Sequence, residues 1–434
     1  MKKHHLKMLV ENKKQVQEFE QIYKTEDCII IPIQCDSNEH PANDKLSLLY
    51  VQMWGGKEFM LPFNHSETIN LNIKNLYKML SKHKFYTYDR KKLSHFVKLN
   101  NVIDVNLIHY MNTGNPLNLE QIDTNAHNFL NMKYYKKENI NTIVPVMKHL
   151  EKCRKISKIL KDTIEKYDQS VNMSYNNEVL DNLTYIEKNG LQTTNGKLYS
   201  EYNIYTSTGR PSNRFGGTNF AALNKSDGSR KPYVSRFKSG VLVEMDYDAY
   251  HLRLIADKIG YDFPDGSVHE HMSKFYGVDY EEAKRLSFQY LYGHLPQDVV
   301  QMNPYFSKVY DYIRDLWKEH NSKEFIVSDI YSRRIYKKNL SDMNANKLFN
   351  YTIQLMETEN NMRALTKLIP EIKDYKSKLI LYSYDSFLLD FNMADGLNYL
   401  KRVKKILEQD GKFPVKVSWG LNYHEMKDIT EKFI

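Results

Sequence analysis

Cysteine and tryptophan are scarce, at three of each, and Cys28, Cys35 and Cys153 form no C-x-x-C pair. That odd, scattered set speaks against a disulfide framework or a zinc knuckle and fits a reducing, cytoplasmic setting. No long apolar run occurs, so a membrane span is excluded. The opening Met1-Lys2-Lys3-His4-His5 is basic but leads into no apolar segment, and a secretory signal is not expected. Neither charge sign dominates: 62 Lys+Arg against 53 Asp+Glu leave a formal +9, which permits a polyanionic partner without demanding one. No internal repeat or low-complexity tail is evident.

What is present is a 434-residue chain, 41% hydrophobic and 13% aromatic, long enough to bury a large core in two or three domains. Its first part, to about residue 125, reads as mixed α/β. Ile29–Ile33 and Leu46–Val51 are strand-like, and Ile73, Leu76, Leu80 and Phe96, Leu99 are spaced for helices. Next, Met147, Leu150, Ile156, Leu160 and Ile164 predict a long helix from Pro145 to about Tyr167. Between Lys133 and Lys166 stand ten Lys/Arg against four Asp/Glu, a basic face able to track a phosphate backbone or simply to meet solvent. Beyond Asn172 a polar stretch runs to Tyr202.

Two apolar strands then end in a carboxylate. Val241 to Met245 runs into Asp246, and Leu379 to Tyr384 runs into Asp385. Strands of one sheet would bring the two aspartates together, a layout suited to Mg²⁺, which prefers carboxylate oxygens and substrate phosphates. Between them, Asp279 to Gly293 reads as one helix with Asp279 as its N-cap. Lys284, Phe288 and Tyr292 recur every four residues and share one face of it. A cation followed by two aromatics suits a nucleotide: lysine on the triphosphate, phenylalanine beside the base, tyrosine closing the pocket. His269-Glu270-His271 would present two histidines on one face of an alternating strand, a partial metal site, but no third ligand is nearby in sequence.

These residues resemble the motifs of family A DNA polymerases, the DNA polymerase I type. Asp246-Tyr247-Asp248-Ala249-Tyr250-His251-Leu252-Arg253 is similar to motif A, Lys284 through Gly293 to motif B, and Tyr384-Asp385-Ser386 to motif C. Thr208-Gly209-Arg210-Pro211-Ser212 resembles the T-G-R-x-S element, Ser332-Arg333-Arg334-Ile335 the G-R-R-x segment, and Asn350 through Gln354 the N-x-x-x-Q helix. All six occur in the family's order.

The resemblance implies an α+β right-hand polymerase fold: an antiparallel palm sheet, helical fingers, a reduced thumb and an amino-terminal α/β domain like a 3′→5′ exonuclease. The expected divisions are 1–125 for the exonuclease-like domain, 126–204 for the thumb or connector, and 205–434 for palm and fingers, the fingers at about 266–325. The implied activity is addition of dNTPs to a primer 3′-hydroxyl by two-metal nucleotidyl transfer, with Asp246 and Asp385 as ligands of two Mg²⁺ ions and Mn²⁺ as an alternative. Lys284 is the implied acid for the leaving group. Tyr247, His251, His269, Lys284, Phe288 and Tyr292 are the implied nucleotide contacts. Arg210, Asn350, Gln354 and Arg333 are the implied contacts to primer-template DNA.

Departures from the pattern carry further expectations. His251 stands where motif A has a glutamate that screens the sugar, which leaves ribonucleotide acceptance open. The family's arginines before the motif B lysine fall at Tyr280 and Glu281, and Ser386 replaces the glutamate after the motif C aspartate. Asp248 reads as a local hydrogen-bonding group. In the amino-terminal domain Pro32 and Gln34 occupy the family's D-x-E positions, while Tyr88-Asp89-Arg90 and Asp104 match later elements, so an exonuclease-like fold without activity is expected. The short thumb implies a weak grip on DNA, a small accessory subunit, and affinity for single-stranded templates. Such reduced enzymes resemble those of phages and mobile elements. Two other readings stay open: a primase-polymerase that starts strands de novo with a partner, and a non-catalytic DNA-binding scaffold.

Overall fold

The computed structural model describes residues 9–36, 39–72, 84–98, 101–119, 144–169 and 173–433. The helix expected around Ile73–Leu80, Leu99, His4-His5 and the start of the basic stretch at 133–143 lie outside these residues. The chain forms two compact units, Met1–Thr184 and Tyr185–Ile434.

The amino-terminal unit is built on helix α1 (Lys13–Tyr23), strands β1 (Cys28–Gln34), β2 (Leu46–Met53), β3 (Glu58–Pro62) and β4 (Phe85–Thr87), helix α2 (Arg90–Phe96), strand β5 (Val102–Asp104) and helices α3 (Val105–Thr113) and α4 (Val146–Lys166). Its mixed sheet has the order β3-β2-β1-β4-β5, with β1 antiparallel to β2 and parallel to β4. Alternation along β1 explains its unbroken apolar run. Ile29, Ile31 and Ile33 pack under α3 and α4, while Cys28 and Ile30 pack with Phe19 of α1 and Leu93 of α2. A strand covered on both faces has no polar side to show.

The carboxylates that sequence likeness singled out here have local duties. Asp89 caps α2 through Lys92 N, and Asp104 caps α3 through Leu107 N at 2.8 Å while also accepting from Arg90 N. Asp104 is fully buried, and that burial raises its pKa to about 7. Gln34 Nε2 donates to the Asp36 and Glu39 carbonyls, closing the loop after β1. Asp36 N is in turn capped by the Asp44 carboxylate at 2.8 Å.

The stretch expected to be merely polar contains a helix, α5 (Met173–Asn189). Its signal is Val179, Leu180, Leu183 and Ile186, buried at helical spacing but diluted by asparagines. After the hairpin β6 (Leu191–Thr193) and β7 (Gly196–Leu198) come short strands β8 (Tyr202–Asn203), β9 (Ser212–Phe215) and β10 (Thr218–Asn219).

The carboxy-terminal unit continues with β11 (Gly240–Tyr247), helices α6 (Tyr250–Ile259), α7 (Val268–Tyr276), α8 (Tyr280–Tyr292), α9 (Gln297–Met302) and α10 (Pro304–Ser322), strands β12 (Phe325–Val327) and β13 (Arg334–Tyr336), and the 28-residue α11 (Ala345–Ile372). It closes with β14 (Lys378–Ser383), β15 (Ser386–Asn392), α12 (Gly396–Glu408), β16 (Val415–Gly420) and β17 (Lys427–Asp428). Its main sheet is antiparallel throughout, in the order β14-β15-β11-β16-β17. The helical part packs on a core that includes Leu252, Ala283, Leu291, Tyr305, Phe306 and Phe349. His269-Glu270-His271 therefore lies on a helix, not a strand, and His271 turns away to pack on Phe263.

Candidate active site

Register places the two aspartates. Asp246 near the end of β11 pairs with Ser386 at the start of β15, and Asp385 sits in the two-residue turn joining β14 to β15. Tyr247 N donates to the Asp385 carbonyl at 3.0 Å, which fixes the turn against the strand end. Both carboxylate segments contain a non-glycine residue in the left-handed region: Tyr384 at φ +57° and Ala249 at φ +50°. Each such residue costs on the order of 1 kcal/mol or more, a strain that clusters at functional sites. The Ala249 bend opens α6 and swings His251 over the same end of the sheet.

A cleft of about 450 Å³ opens there. It is lined by Arg210, Asp246, Tyr247, His251, His269, Lys284, Phe288, Tyr292 and Asp385, together with Lys225, Glu244, Asp248, Glu357 and Lys416 among others. Residues chosen from five separate sequence segments thus converge on one cavity. Asp279 caps α8 through Glu282 N, and Lys284, Phe288 and Tyr292 face the cleft from that helix as its spacing predicts. The Phe288 and Tyr292 rings stack at 5.8 Å with 5° between planes. His269 packs edge-on against Tyr280 and tilted against Phe288, and burial lowers its pKa to about 4, so it meets the cleft as a neutral imidazole. Tyr247 lines the cleft, yet its ring stacks on Tyr250 at 4.0 Å and its hydroxyl donates to Leu407 O inside the unit.

Arg210 is held on two sides. Its guanidinium carbon lies 3.6 Å above the Tyr384 ring, and its Nε lies 2.9 Å from Oε2 of Glu357, in ion-pair range though not aligned as a hydrogen bond. His251 completes the group, with Nε2 3.2 Å from Glu357 Oε1 and Nδ1 2.5 Å from the Tyr292 hydroxyl. Gln354 faces Arg210's loop, accepting from Thr208 Oγ1 at 3.4 Å. Asn350 Nδ2 donates to Tyr292 O, and Asn346 Nδ2 to Gly293 O, so α11 holds the carboxyl end of α8. Arg333 is 3% exposed and outside the cleft lining. It donates to Thr206 O and lies over Gly209 (φ +68°), where a Cβ would stand 1.3 Å from its Nη1. Ser332, in the position where the resemblance has a glycine, is itself left-handed at φ +52°.

Several site residues escaped sequence reasoning. Glu244, two residues before Asp246 on the same face of β11, accepts from the Tyr423 hydroxyl at 2.8 Å and pairs with Arg230 at 3.2 Å. The exposed Lys225 ammonium lies 3.5 Å from both Glu244 and Asp246. Asp248, expected to be a local partner, pairs with Lys416 at 2.7 Å and Arg253 at 3.7 Å. Glu357 and Asn361 come from the middle of α11. Asn361 accepts from the Tyr250 hydroxyl and donates to Tyr384 O, buttressing the Asp385 turn. The readable signal was limited to the spacing of Asn346, Asn350, Gln354, Glu357 and Asn361, three or four residues apart on one face of a helix that carries other polar residues besides.

The electrostatics of the cleft favour a cation. Burial, then the charge of Asp385, raises the Asp246 pKa; burial, then Glu357, raises that of Asp385. Two desolvated carboxylates that repel one another are hard oxygen donors whose cost a divalent ion offsets, and Mg²⁺ suits such donors. Asp246 and Asp385 are the residues that would hold it.

Among solved structures, the chain is similar to the POL domain of Pol1 from M. smegmatis, determined in complex with DNA primer-template and dNTP. The TM-score is 0.69 at 14% identity, over 96% of this chain and 100% of that chain. No family model matches the sequence, and no curated protein matches it. What is shared is fold: this chain has a mixed α/β architecture that resembles that polymerase domain. No helix among the described residues is long and apolar enough to cross a membrane.

Proposed function

We propose that the chain is a template-directed DNA polymerase that adds dNTPs to a primer 3′-hydroxyl, with pyrophosphate as leaving group. One observation carries this reading: Asp246, Lys284, Phe288, Tyr292 and Asp385, chosen from strand-end and helical patterns together with the family resemblance, line one cleft in a polymerase-domain fold. The neighbour's own complex with primer-template and dNTP supports DNA and dNTP as the ligands here.

The residues take complementary parts. Asp246 and Asp385 hold divalent cations, which when bound supply charge neutralisation on the triphosphate and a lowered pKa at the attacking hydroxyl. Lys284 binds the phosphates and protonates the departing pyrophosphate. The stacked Phe288 and Tyr292 form an apolar wall against the incoming base, with neutral His269 behind them. Arg210 and Gln354 offer donors to minor-groove acceptors that every correct pair presents, a test of shape rather than of sequence. Asn350 holds the end of α8, and Arg333 holds the Arg210 loop from beneath.

The amino-terminal sheet order supports an exonuclease-like fold, and Pro32 and Gln34 on β1, with Asp89 and Asp104 used as helix caps, support its inactivity. A role in a phage or mobile element, a small accessory subunit and de novo priming belong to the same proposal as secondary readings. The test is a Mg²⁺-dependent synthesis assay on primed and unprimed single-stranded templates with dNTPs or NTPs. Primer extension lost in Asp246→Ala/Asp385→Ala supports the polymerase, and product on the unprimed strand extends it to priming. Activity that survives the double substitution sinks the assignment. Inactivity of the parent protein with either template favours a DNA-binding scaffold.

A further inference from the structure

Glu357 belongs to none of the sequence elements that define the cleft, yet it lies at the centre of the cleft's polar network. It is 1% exposed and sits in mid-helix, where backbone N–H groups are already spent on the helix itself. A carboxylate in such a place is costly unless charged partners compensate. Its described partners are both cleft-lining groups: the Arg210 guanidinium at 2.9 Å and His251 Nε2 at 3.2 Å.

The geometry shows what it accomplishes. Arg210 lines the cleft with one edge of its guanidinium against Glu357 and its face on Tyr384. Through His251 the same carboxylate reaches the Tyr292 hydroxyl at the carboxyl end of α8. Position 251, where the resemblance has a glutamate, is thus served by a carboxylate delivered from α11.

We propose that Glu357 is a positioning residue that orients Arg210 towards primer-template DNA and couples it, through His251, to Tyr292 on α8. The proposal rests on the polymerase reading, and its test separates the two. Glu357→Gln, Arg210→Ala and the double variant are compared with the parent chain in single-nucleotide primer extension and in primer-template binding by fluorescence anisotropy. Glu357→Asp serves as the conservative variant, and thermal melts confirm folding.

Coupling of this kind predicts that Glu357→Gln lowers kcat/KM for extension about tenfold on the parent background and about twofold or less on Arg210→Ala. Glu357→Asp regains part of the loss, and thermal melts show Glu357→Gln still folded at the assay temperature. Equal losses on both backgrounds, or no loss, overturn the proposal while leaving the polymerase intact. If the parent protein makes no product, the polymerase reading fails and the anisotropy cycle decides: a Glu357→Gln effect that vanishes without Arg210 upholds the positioning role, and independent effects refute it.

Discussion

The two aspartates of the cleft should make the metal-free protein less stable than its Asp246→Asn variant. Asp246 has a pKa near 7 in the folded chain against 3.8 for a free side chain, first because it is buried and second because Asp385 faces it. The folded state therefore holds this proton more tightly than the unfolded chain, and stability at this site falls as pH rises from about 4 to about 7, then levels off. At about 1.36 kcal/mol per pH unit the ceiling is about 4 kcal/mol at pH 8. The side chain is 33% exposed, so screening reduces the expected gain on removing the charge to about 1–2 kcal/mol. For a unit of this size that is a rise of roughly 3–6 °C in Tm. Calorimetry in EDTA from pH 4.5 to 8.5 measures it, with the gap between variant and parent opening across pH 5–7. Mg²⁺ should close the gap by stabilising the parent and not the variant. A variant that melts below the parent at pH 8, or a gap that does not change with pH, would refute the reasoning.

Other outcomes follow from the same geometry. Lys284→Ala should lower kcat/KM for dNTP addition by about 10²–10³, as loss of one charge-stabilising donor does; steady-state primer extension reads this. His251→Ala should raise ribonucleotide incorporation relative to dNTP about tenfold, one kcal-scale contact's worth, and an unchanged ratio would remove His251 from sugar selection. Gly209→Ala should cost about 2 kcal/mol or more in urea unfolding, because the added methyl meets the Arg333 guanidinium and the residue sits at φ +68°. A labelled primer 3′ end should survive prolonged incubation with Mg²⁺, since Pro32 and Gln34 offer β1 no carboxylate; degradation lost on substituting Asp104 would show that a nuclease site persists.

Much of the cleft was legible because its chemistry is written in short, local patterns. Strand runs ending in aspartate and a lysine-phenylalanine-tyrosine stripe at helical spacing can be read without knowing the fold, and the structure brings them together. The apolar runs of β1, β2, β11 and β14 were equally plain. What could not be read depends on tertiary geometry. Glu357 and Asn361 look like ordinary polar residues until α11 turns that face to the sheet end. The left-handed Ala249 and Tyr384 carry no glycine to announce them. Arg333 reads as a DNA contact in sequence but is buried against Gly209. Helix α5 was missed because asparagines dilute its apolar spacing, and His269-Glu270-His271 fits a strand period as well as a helical one.

The polar stripe of α11 has a consequence for how this chain can vary. Five side chains over four turns meet four different parts of the unit: the end of α8, the Thr208–Arg210 loop, the start of α6 and the Asp385 turn. Adding or removing one residue between Asn346 and Asn361 would rotate everything beyond it by about 100°. One set of contacts would then stay in place while another turned into the core. Substitution can be absorbed along this segment one contact at a time, but a change of length cannot, so the spacing within α11 should be among the least variable distances in the molecule.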